Sequence, residues 1–131
     1  GKSRFSSLCP SIVFEGDDPA LVIGAPGGTQ IAMGVLQGIL NVIDHEMSVS
    51  DAVAAPRFPA TSDAIDVCNR IPRYVTRGLE ASGYSVVRSP LSYTFAWVHA
   101  IGIRGGVVSG GADPGADGMA LSVPSGPFDD N

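Results

Sequence analysis

Cysteine, histidine and basic residues are scarce in this chain. It has two cysteines and two histidines in 131 residues, with neither a CxxC pair nor a His/Cys cluster, so we predict no metal site and no disulfide framework. Cys9 and Cys68 are expected to be buried free thiols, although one bridge between them stays open as an alternative. The eight basic residues are outnumbered by thirteen acidic ones, giving a net charge of −5, which argues against a nucleic-acid partner.

Long apolar runs are also missing. No stretch of 18 apolar residues occurs, so no membrane span is predicted. No apolar segment typical of a secretory signal follows Gly1–Arg4, and the compartment stays open between periplasmic or extracellular and cytoplasmic. Hydrophobic residues make up 44% of the chain and charged ones 16%, which predicts a core. The 17 glycines and 10 prolines have no G-x-y period and indicate a turn-rich fold.

Hydrophobic periodicity in the first half of the chain predicts a hairpin followed by two helices. Short β-branched runs at 11–14 and 20–23 flank turn-forming residues 15–19. Residues 30–44 are apolar apart from one polar stripe, which predicts a central helix nearly surrounded by protein. Residues 48–55 predict a short helix that begins after a serine N-cap and ends at a proline.

The second half predicts a similar mixture of elements. A strand is expected at 65–68, a helix from Pro72 at its first position to Ser82 with Gly83 behind it, and a strand at 84–87. Residues 96–103 and 107–110 predict a second hairpin. Without regular βαβ alternation or internal repeats, the fold class is α+β. We expect residues 1–121 to form the folded portion and residues 122–131 a loose tail.

Chemistry is indicated first by the glycine-rich turn at residues 24–30. An apolar strand, a glycine-rich turn and a helix N-terminus aim backbone N–H groups at one point, where the helix dipole favours negative charge. Such a place accommodates a phosphate, a carboxylate or a developing oxyanion, and a purely structural tight turn is the alternative. The spacing is not that of a phosphate-binding P-loop, since no lysine follows.

Two adjacent hydroxyls, Ser6 and Ser7, precede the first predicted strand. On their own they indicate a polar start to a strand or a local serine turn, because hydroxyls usually bond to nearby backbone. Their position in a longer succession of motifs gives them a second interpretation.

That succession resembles one known family. The chain contains S-S-L-C-P-S-I-V from Ser6, G-A-P-G-G-T-Q-I from Gly24, V-L-Q-G-I-L-N-V-I-D-H from Val35 and A-V-A-A-P-R-F from Ala52. It resembles the gamma-glutamyltranspeptidase small subunit, which reads S-S-M-x-P-x-I-V, G-[SA]-P-G-G-x-x-I, V-x-Q-x-x-x-N-x-I-D and A-x-x-A-P-R. The blocks A-I-G-I and G-G-A-D-P-G-A-D-G near the C-terminus resemble the family's last strands and its D-P-R-x-x-G turn. The resemblance covers residues 2–121.

The resemblance implies part of a four-layer αββα N-terminal-nucleophile hydrolase. In that family a precursor cuts itself, and the new N-terminal threonine attacks gamma-glutamyl amides such as glutathione to form an acyl-enzyme. Ser6 and Ser7 would bind the alpha-carboxylate of the gamma-glutamyl donor, and Gly27 and Gly28 would supply oxyanion-hole N–H groups. No cofactor is implied.

The nucleophile is not among the threonines of this chain, since none of the four threonines, at positions 29, 61, 76 and 94, occupies the matching place upstream of Ser6. We therefore expect the chain alone to be inactive and its partner to be the remainder of the enzyme, namely the large subunit and the N-terminal part of the small subunit.

Some positions depart from the family pattern. Gly115 replaces the arginine of D-P-R, which removes any ion pair made there, and His99, in place of a common glutamine, is expected to be a packed or rim histidine. Two alternatives follow, a cephalosporin-acylase-like amidase with another acyl group and a non-catalytic module that retains the fold. The double serine favours the gamma-glutamyl donor, because an apolar acyl chain would leave two hydroxyls poorly satisfied.

Overall fold

The computed structural model describes residues 1–3 and 6–123, and residues 4–5 and 124–131 lie outside it. Within these ranges strands and helices are mixed, which confirms the predicted α+β class. The elements are β1 (Ser11–Glu15), β2 (Asp18–Gly24), a 3₁₀ turn (Gly28–Gln30), α1 (Ile31–Ile43), α2 (Val49–Ala54), β3 (Ile65–Val67), α3 (Arg73–Ala81), β4 (Val86–Arg88), β5 (His99–Arg104) and β6 (Val107–Ala112).

The larger sheet has the strand order β1-β2-β5-β6 with antiparallel neighbours. Each outer pair is a hairpin, and the β5–β6 hairpin turns through Gly105 and Gly106, whose φ values of 57° and 78° suit a two-residue loop. The β1–β2 turn is shorter than predicted, because β2 already begins at Asp18. Pro19 is tolerated inside β2 since the pairing of β2 with β5 starts only at Leu21.

The core lies between this sheet and the helices α1 and α2. Alternate residues of β2 and β5 point toward the helices, as the two-residue period of a strand requires. The larger side chains that this core encloses completely are Leu21, Val35, Val53 and Val98, each at most 2% exposed. Burying each of these side chains contributes about 1.5–3 kcal/mol relative to exposure, so this layer supplies much of the stability of the fold.

Within the described residues helix α1 is covered on one face only, so the further cover that its narrow polar stripe predicts does not come from these residues. Ile31, Val35 and Val42 are buried against the sheet. The opposite face exposes Leu36, Leu40 and Ile43, because no element of the described chain packs there.

Two residues of the predicted polar stripe of α1 hold neighbouring segments. Gln37 Nε2 donates to the carbonyl of Phe58 at 2.9 Å, and its Oε1 accepts from the N–H of Phe58 at 3.1 Å. Asn41 Nδ2 donates to the carbonyl of Ala52 at 3.4 Å. Through these hydrogen bonds the polar stripe connects α1 to α2 and to the loop that follows α2.

The two shorter helices start as their sequences dictate, with one correction. The predicted N-cap of α2 is confirmed, because Ser48 Oγ accepts from the N–H of Asp51 at 3.1 Å. Pro72 is the N-cap of α3 rather than its first residue, with an extended ψ of 144°. Gly83 follows the helix with φ at +90°, as expected of a C-terminal glycine.

A second, smaller sheet forms from β3 and β4, which pair in parallel. Helix α3 connects them and packs on β4, so the chain contains one βαβ unit that sequence periodicity does not specify. The strand predicted at 84–87 lies two residues later, at Val86–Arg88. Arg88 closes this unit, since its guanidinium donates to the carbonyls of Cys68, Asn69 and Ile71 and to Thr76 Oγ1.

The strand predicted at 96–103 begins only at His99. Phe95 and Ala96 have φ values of 66° and 52°, which lie outside the strand region. The N–H groups of Trp97 and Val98 donate to Pro26 and to the side chain of Asp113 instead of to a neighbouring strand. This segment therefore belongs to the candidate site and not to the sheet.

Remaining expectations concern the thiols, membrane spans and the tail. Both cysteines are free, Cys68 buried as expected but Cys9 only half-buried. Among the described helices none is long and apolar enough to cross a membrane. The predicted tail at residues 122–131 lies mostly outside the described residues.

A pair of glycine substitutions tests the packing of α2 against β6. A Cβ on Gly111 would lie 2.8 Å from the carbonyl oxygen of Val49 and 2.9 Å from Val53 Cγ2, so Gly111→Ala should lower the free energy of unfolding by about 1–3 kcal/mol. Gly78→Ala, in the exposed part of α3 with nothing within 4 Å, should raise it by about 0.5–1 kcal/mol. Denaturant unfolding of both variants beside the parent measures this, and equal effects would contradict the packing described.

Candidate functional site

The glycine turn connects the end of β2 to α1, as the sequence predicts. Gly24 ends the strand, and Gly28–Gln30 form a single 3₁₀ turn before α1. Gln30 N–H donates to the carbonyl of Gly27 at 3.3 Å, which closes the turn. Gly27 and Gly28 have φ values of 147° and 61°, and only glycine adopts both readily.

Glycine is required at position 27 for a second reason, which is a close backbone contact. A Cβ on Gly27 would lie 2.6 Å from Ala96 Cα and 2.9 Å from Ala96 Cβ. Gly28 has nothing within 4 Å at the corresponding point. The turn therefore rests on Ala96 on one side and is open on the other.

The amides of the turn are available to a ligand. Both glycines are exposed, and within residues 1–3 and 6–123 neither Gly27 N–H nor Gly28 N–H donates to another protein group. They lie at the N-terminal side of a 13-residue helix, whose dipole adds partial positive charge there. Two free N–H groups at such a place can stabilise a bound or developing anion.

The double serine lies at the same end of the sheet as the glycine turn. Ser11 of β1 pairs with Ile23 of β2 in an antiparallel register, so the start of β1 and the end of β2 share one edge. Ser7 precedes Ser11 by four residues, and Gly27 follows Ile23 by four. Ser7 is half-buried, and Ser6 is exposed with its Oγ accepting from the N–H of Leu8 at 3.3 Å.

A buried ion pair between Arg57 and Asp113 lies behind the glycine turn and was missed by the sequence reasoning. The two residues are 4% and 1% exposed, and Arg57 donates one N–H to Asp113 Oδ2. Both belong to motif blocks, Arg57 to A-A-P-R and Asp113 to A-D-P-G. A single charged residue within an otherwise small and apolar block is the signal that could have identified each of them.

Every remaining polar group of the pair is directed at backbone. Arg57 also donates to the carbonyls of Val53 at 2.7 Å and Phe95 at 3.3 Å. Asp113 accepts from the N–H of Val98 at 3.2 Å and from that of Gly115 at 2.8 Å. The pair therefore joins the end of α2, the segment 95–98 and the end of β6.

The segment 95–98 supports the glycine turn directly. Trp97 N–H donates to the carbonyl of Pro26 at 3.1 Å. Ala96 also lies close to α1. A Cβ added to Gly34 of that helix would be only 2.8 Å from the Cβ of Ala96. At Gly27 and Gly34, segment, turn and helix are consequently packed with no room for another methyl group.

Two departures from the family pattern have structural counterparts. Gly115 stands where the family pattern has an arginine. A Cβ there would lie 2.6 Å from Tyr93 Cβ and 3.3 Å from Trp97 Nε1, so these two aromatic residues leave no room for a side chain in this backbone position. Arg70 stacks on Tyr93 with 4.5 Å between its guanidinium carbon and the ring centroid. His99 is half-buried and contacts Gly118, in agreement with a packed or rim histidine.

Metal ligands are not assembled in the described part of the chain. No group of three or more His, Cys, Asp or Glu side chains there could hold a metal ion.

Comparison with known proteins gives a consistent assignment. The sequence profile of the Gamma-glutamyltranspeptidase family matches residues 1–123. The chain is 35% identical over 127 residues to an acylase ACY 1 proenzyme of Pseudomonas sp. (strain SE83), covering 96% of the chain and 22% of that protein. It is 32% identical over 123 residues to a glutathione hydrolase proenzyme of Bacillus subtilis (strain 168), covering 93% and 21%. The chain thus spans about a fifth of the length of these relatives.

Solved structures of similar fold include the gamma-glutamyltranspeptidase of Pseudomonas nitroreducens in complex with L-DON. It superposes with a TM-score of 0.82 at 30% identity, over 94% of this chain and 65% of that one. The cephalosporin acylase of Bacillus halodurans also superposes with a TM-score of 0.82, at 24% identity, over 88% of this chain and 22% of that one, which is a likeness of fold. On these matches, the chain belongs to the gamma-glutamyltranspeptidase family.

Proposed function

We propose that the chain is the part of an N-terminal-nucleophile hydrolase that stabilises the transition state of gamma-glutamyl amide cleavage. The observation that carries the proposal is the exposed turn at Gly27 and Gly28 at the N-terminal side of α1, whose two N–H groups have no partner among residues 1–3 and 6–123. This end of the sheet is shared by Ser6 and Ser7. A carbonyl held between the two motifs would have donors for its oxygen and hydroxyls for the distant carboxylate.

The reaction divides between this chain and the rest of the enzyme. An N-terminal threonine supplied by the rest of the enzyme attacks the carbonyl carbon, and its own amine takes the hydroxyl proton. The carbonyl oxygen becomes an oxyanion, which the N–H groups of Gly27 and Gly28 stabilise. The C–N bond of the substrate amide then breaks, and its amine leaves with the proton that the threonine amine had taken. Water or an amino acid finally attacks the acyl-enzyme and releases the acyl group. Losing one oxyanion-hole donor costs about 2.7–4 kcal/mol of transition-state stabilisation.

The roles of the two serines follow from the chemistry of the donor. Ser6 and Ser7 donate hydrogen bonds to the alpha-carboxylate, which holds the gamma-carbonyl over the turn. Hydrogen bonds to a charged group contribute about 1.5–3 kcal/mol each, so they fix the orientation of the donor as well as its affinity. The contact of Ser6 Oγ with Leu8 N–H uses an acceptor lone pair of the hydroxyl and leaves its proton free to donate.

An acylase that accepts another acyl group is the second candidate function. The observation that favours it is the 35% identity over 127 residues to an acylase proenzyme, which is as high as the 32% and 34% identity to two Bacillus subtilis glutathione hydrolase proenzymes. The same oxyanion turn would serve either reaction, because both pass through a tetrahedral intermediate. What separates the two is whether the acyl group carries an alpha-carboxylate for Ser6 and Ser7.

The serine assignment is tested with two substrates in the full-length enzyme that contains this chain. Ser6→Ala and Ser7→Ala should each lower kcat/KM for a gamma-glutamyl anilide about 10- to 100-fold, since each removes a hydrogen bond to a charged group. Cleavage of 4-aminobutyryl anilide, which lacks the alpha-carboxylate, should change by less than a factor of about 3 (no such bond is lost). Ser50→Ala, at an exposed position of α2, is the matched control.

Three other outcomes would assign the chain differently. An equal loss on both anilides would mean that the serines maintain structure and do not bind the carboxylate. An enzyme that ignores the gamma-glutamyl anilide but cleaves other acyl amides would be an acylase. A full-length protein that cleaves neither kind of amide would be a non-catalytic member of the fold.

The partner surface is proposed to be the outer face of the larger sheet. Ile12, Val22 and Ile101 are directly opposite one another on β1, β2 and β5 and are 57%, 39% and 48% exposed. Such a contiguous apolar row is typical of a covered surface. We infer that the remainder of the enzyme packs on this row, because the chain spans only a fifth of its relatives.

Expressing residues 1–131 alone tests this surface. The isolated chain should self-associate in size-exclusion chromatography and bind a hydrophobic dye, since the apolar row faces water. Replacing Ile12, Val22 and Ile101 together by threonine, which keeps β-branching, should reduce both effects. A monomeric, cooperatively melting chain that binds no dye would contradict the inference.

A further inference from the structure

The Arg57–Asp113 pair holds both ends of the segment that supports the glycine turn. Arg57 Nε donates to the carbonyl of Phe95, where the segment begins, and Asp113 Oδ2 accepts from the N–H of Val98, where it ends. Because these contacts bracket residues 95–98, the ion pair fixes the position of the residues between them.

Those inner residues are the ones that touch the turn. Trp97 N–H donates to the carbonyl of Pro26, and Ala96 Cα lies at the point that a side chain on Gly27 would have to occupy. A displacement of the segment would therefore move the peptide units on either side of Gly27. The carbonyl of Pro26 belongs to the same peptide unit as the N–H of Gly27, so this hydrogen bond orients the proposed oxyanion donor.

The segment has a conformation that needs an external restraint. Phe95 and Ala96 have consecutive φ values of 66° and 52°, a region in which residues with side chains are strained. Such a conformation persists only when the surroundings over-determine it. The hydrogen bonds at its two ends, from Arg57 and to Asp113, are the restraint.

We propose that Arg57 and Asp113 are positioning residues that set the direction of the Gly27 and Gly28 N–H groups for transition-state stabilisation. The inference rests on the proposed function of the turn. Neither residue is exposed enough to reach a substrate, since they are 4% and 1% accessible. Their effect passes through Phe95, Ala96 and Trp97 to the turn, and it should appear in the chemical step.

The decisive variant is Arg57→Lys in the full-length enzyme. A lysine keeps a positive charge near Asp113 but lacks the planar fork that lets Arg57 donate to Val53, Phe95 and Asp113 together. We expect kcat for a gamma-glutamyl anilide to fall at least 10-fold with KM within about 2-fold, because oxyanion donors act in the transition state and not on the bound substrate.

Arg88→Lys is the matched control. Arg88 also donates to several backbone carbonyls, but its acceptors lie in the β3–α3–β4 unit and, among the described residues, none belongs to the segment 95–98 or to the glycine turn. This variant should lower the melting temperature and leave kcat unchanged. A fall in kcat of the same size in both variants would overturn the positioning role.

A structural measurement separates this inference from the proposed function. Hydrogen exchange of the peptide that contains Trp97 should accelerate at least 10-fold in Arg57→Lys and stay unchanged in Arg88→Lys. If the parent enzyme cleaves no amide, the proposed function fails while the exchange result still decides whether the pair holds the segment. Unchanged exchange and unchanged kcat in Arg57→Lys would overturn the positioning role and leave the function standing.

Asp113→Asn covers the case in which Arg57→Lys does not fold. The amide keeps one oxygen as an acceptor for Val98 or Gly115, loses the acceptor for the other of the two, and removes the charge that binds Arg57. We expect a smaller fall in kcat, about 3- to 10-fold, again with KM preserved. A rise in KM at constant kcat would overturn the inference, because it would place the effect in substrate binding.

Discussion

A buried charge pair is costly unless each of its polar groups has a partner, and this condition explains how the second half of the chain is arranged around Arg57 and Asp113. The arginine needs acceptors for its fork and obtains them from the end of α2 and from Phe95. The carboxylate needs donors and obtains them from Val98 and Gly115. Residues separated by up to 56 positions are thereby held at one point, and the backbone around them cannot shift without leaving a charge unsatisfied.

Small residues provide the second constraint, because they let backbone segments approach one another. A Cβ at Gly34 would meet Ala96, and one at Gly38 would meet Ile23 Cδ1 at 2.6 Å and Val98 Cγ1 at 3.4 Å. Helix α1 therefore lies closer to the sheet and to the segment 95–98 than a helix with larger residues on that face could. The glycines of the turn and of the helix thus belong to one packed arrangement. The requirement for glycine at position 27 is steric, through Ala96, as well as conformational, through its φ of 147°.

Sequence patterns predicted most of the local structure because hydrophobic period, capping and turn chemistry are local properties. The helix at Ile31–Ile43, the N-cap at Ser48 and the two hairpins of the larger sheet follow from residues within a few positions of each element. The parallel pairing of β3 with β4 depends on a crossover, which no local pattern specifies. The left-handed residues Phe95 and Ala96 lie in a sequence that reads as strand, and long-range contacts with Arg57 and Asp113 override that preference. The glycine turn was predictable because glycine is the residue that adopts positive φ values without strain. The segment 95–98 that supports the turn was not predictable, because its conformation depends on these long-range contacts.

The candidate site lies where two constraints of different origin meet. On the helix side, the ion pair and the segment 95–98 fix the glycine turn within this chain. On the other side of the sheet, Ile12, Val22 and Ile101 form an apolar row that stays 57%, 39% and 48% exposed. The strands β1 and β2 carry the apolar row, and at one end of this pair Ser6 and Ser7 precede β1 while the glycine turn follows β2. A partner that packs on the row would therefore contact β1, the strand that Ser6 and Ser7 precede, and β2, the strand that the glycine turn follows. The chain thus presents a glycine turn fixed by its own ion pair, and under the proposed function the donor pocket would be completed by whatever packs on the outer sheet face.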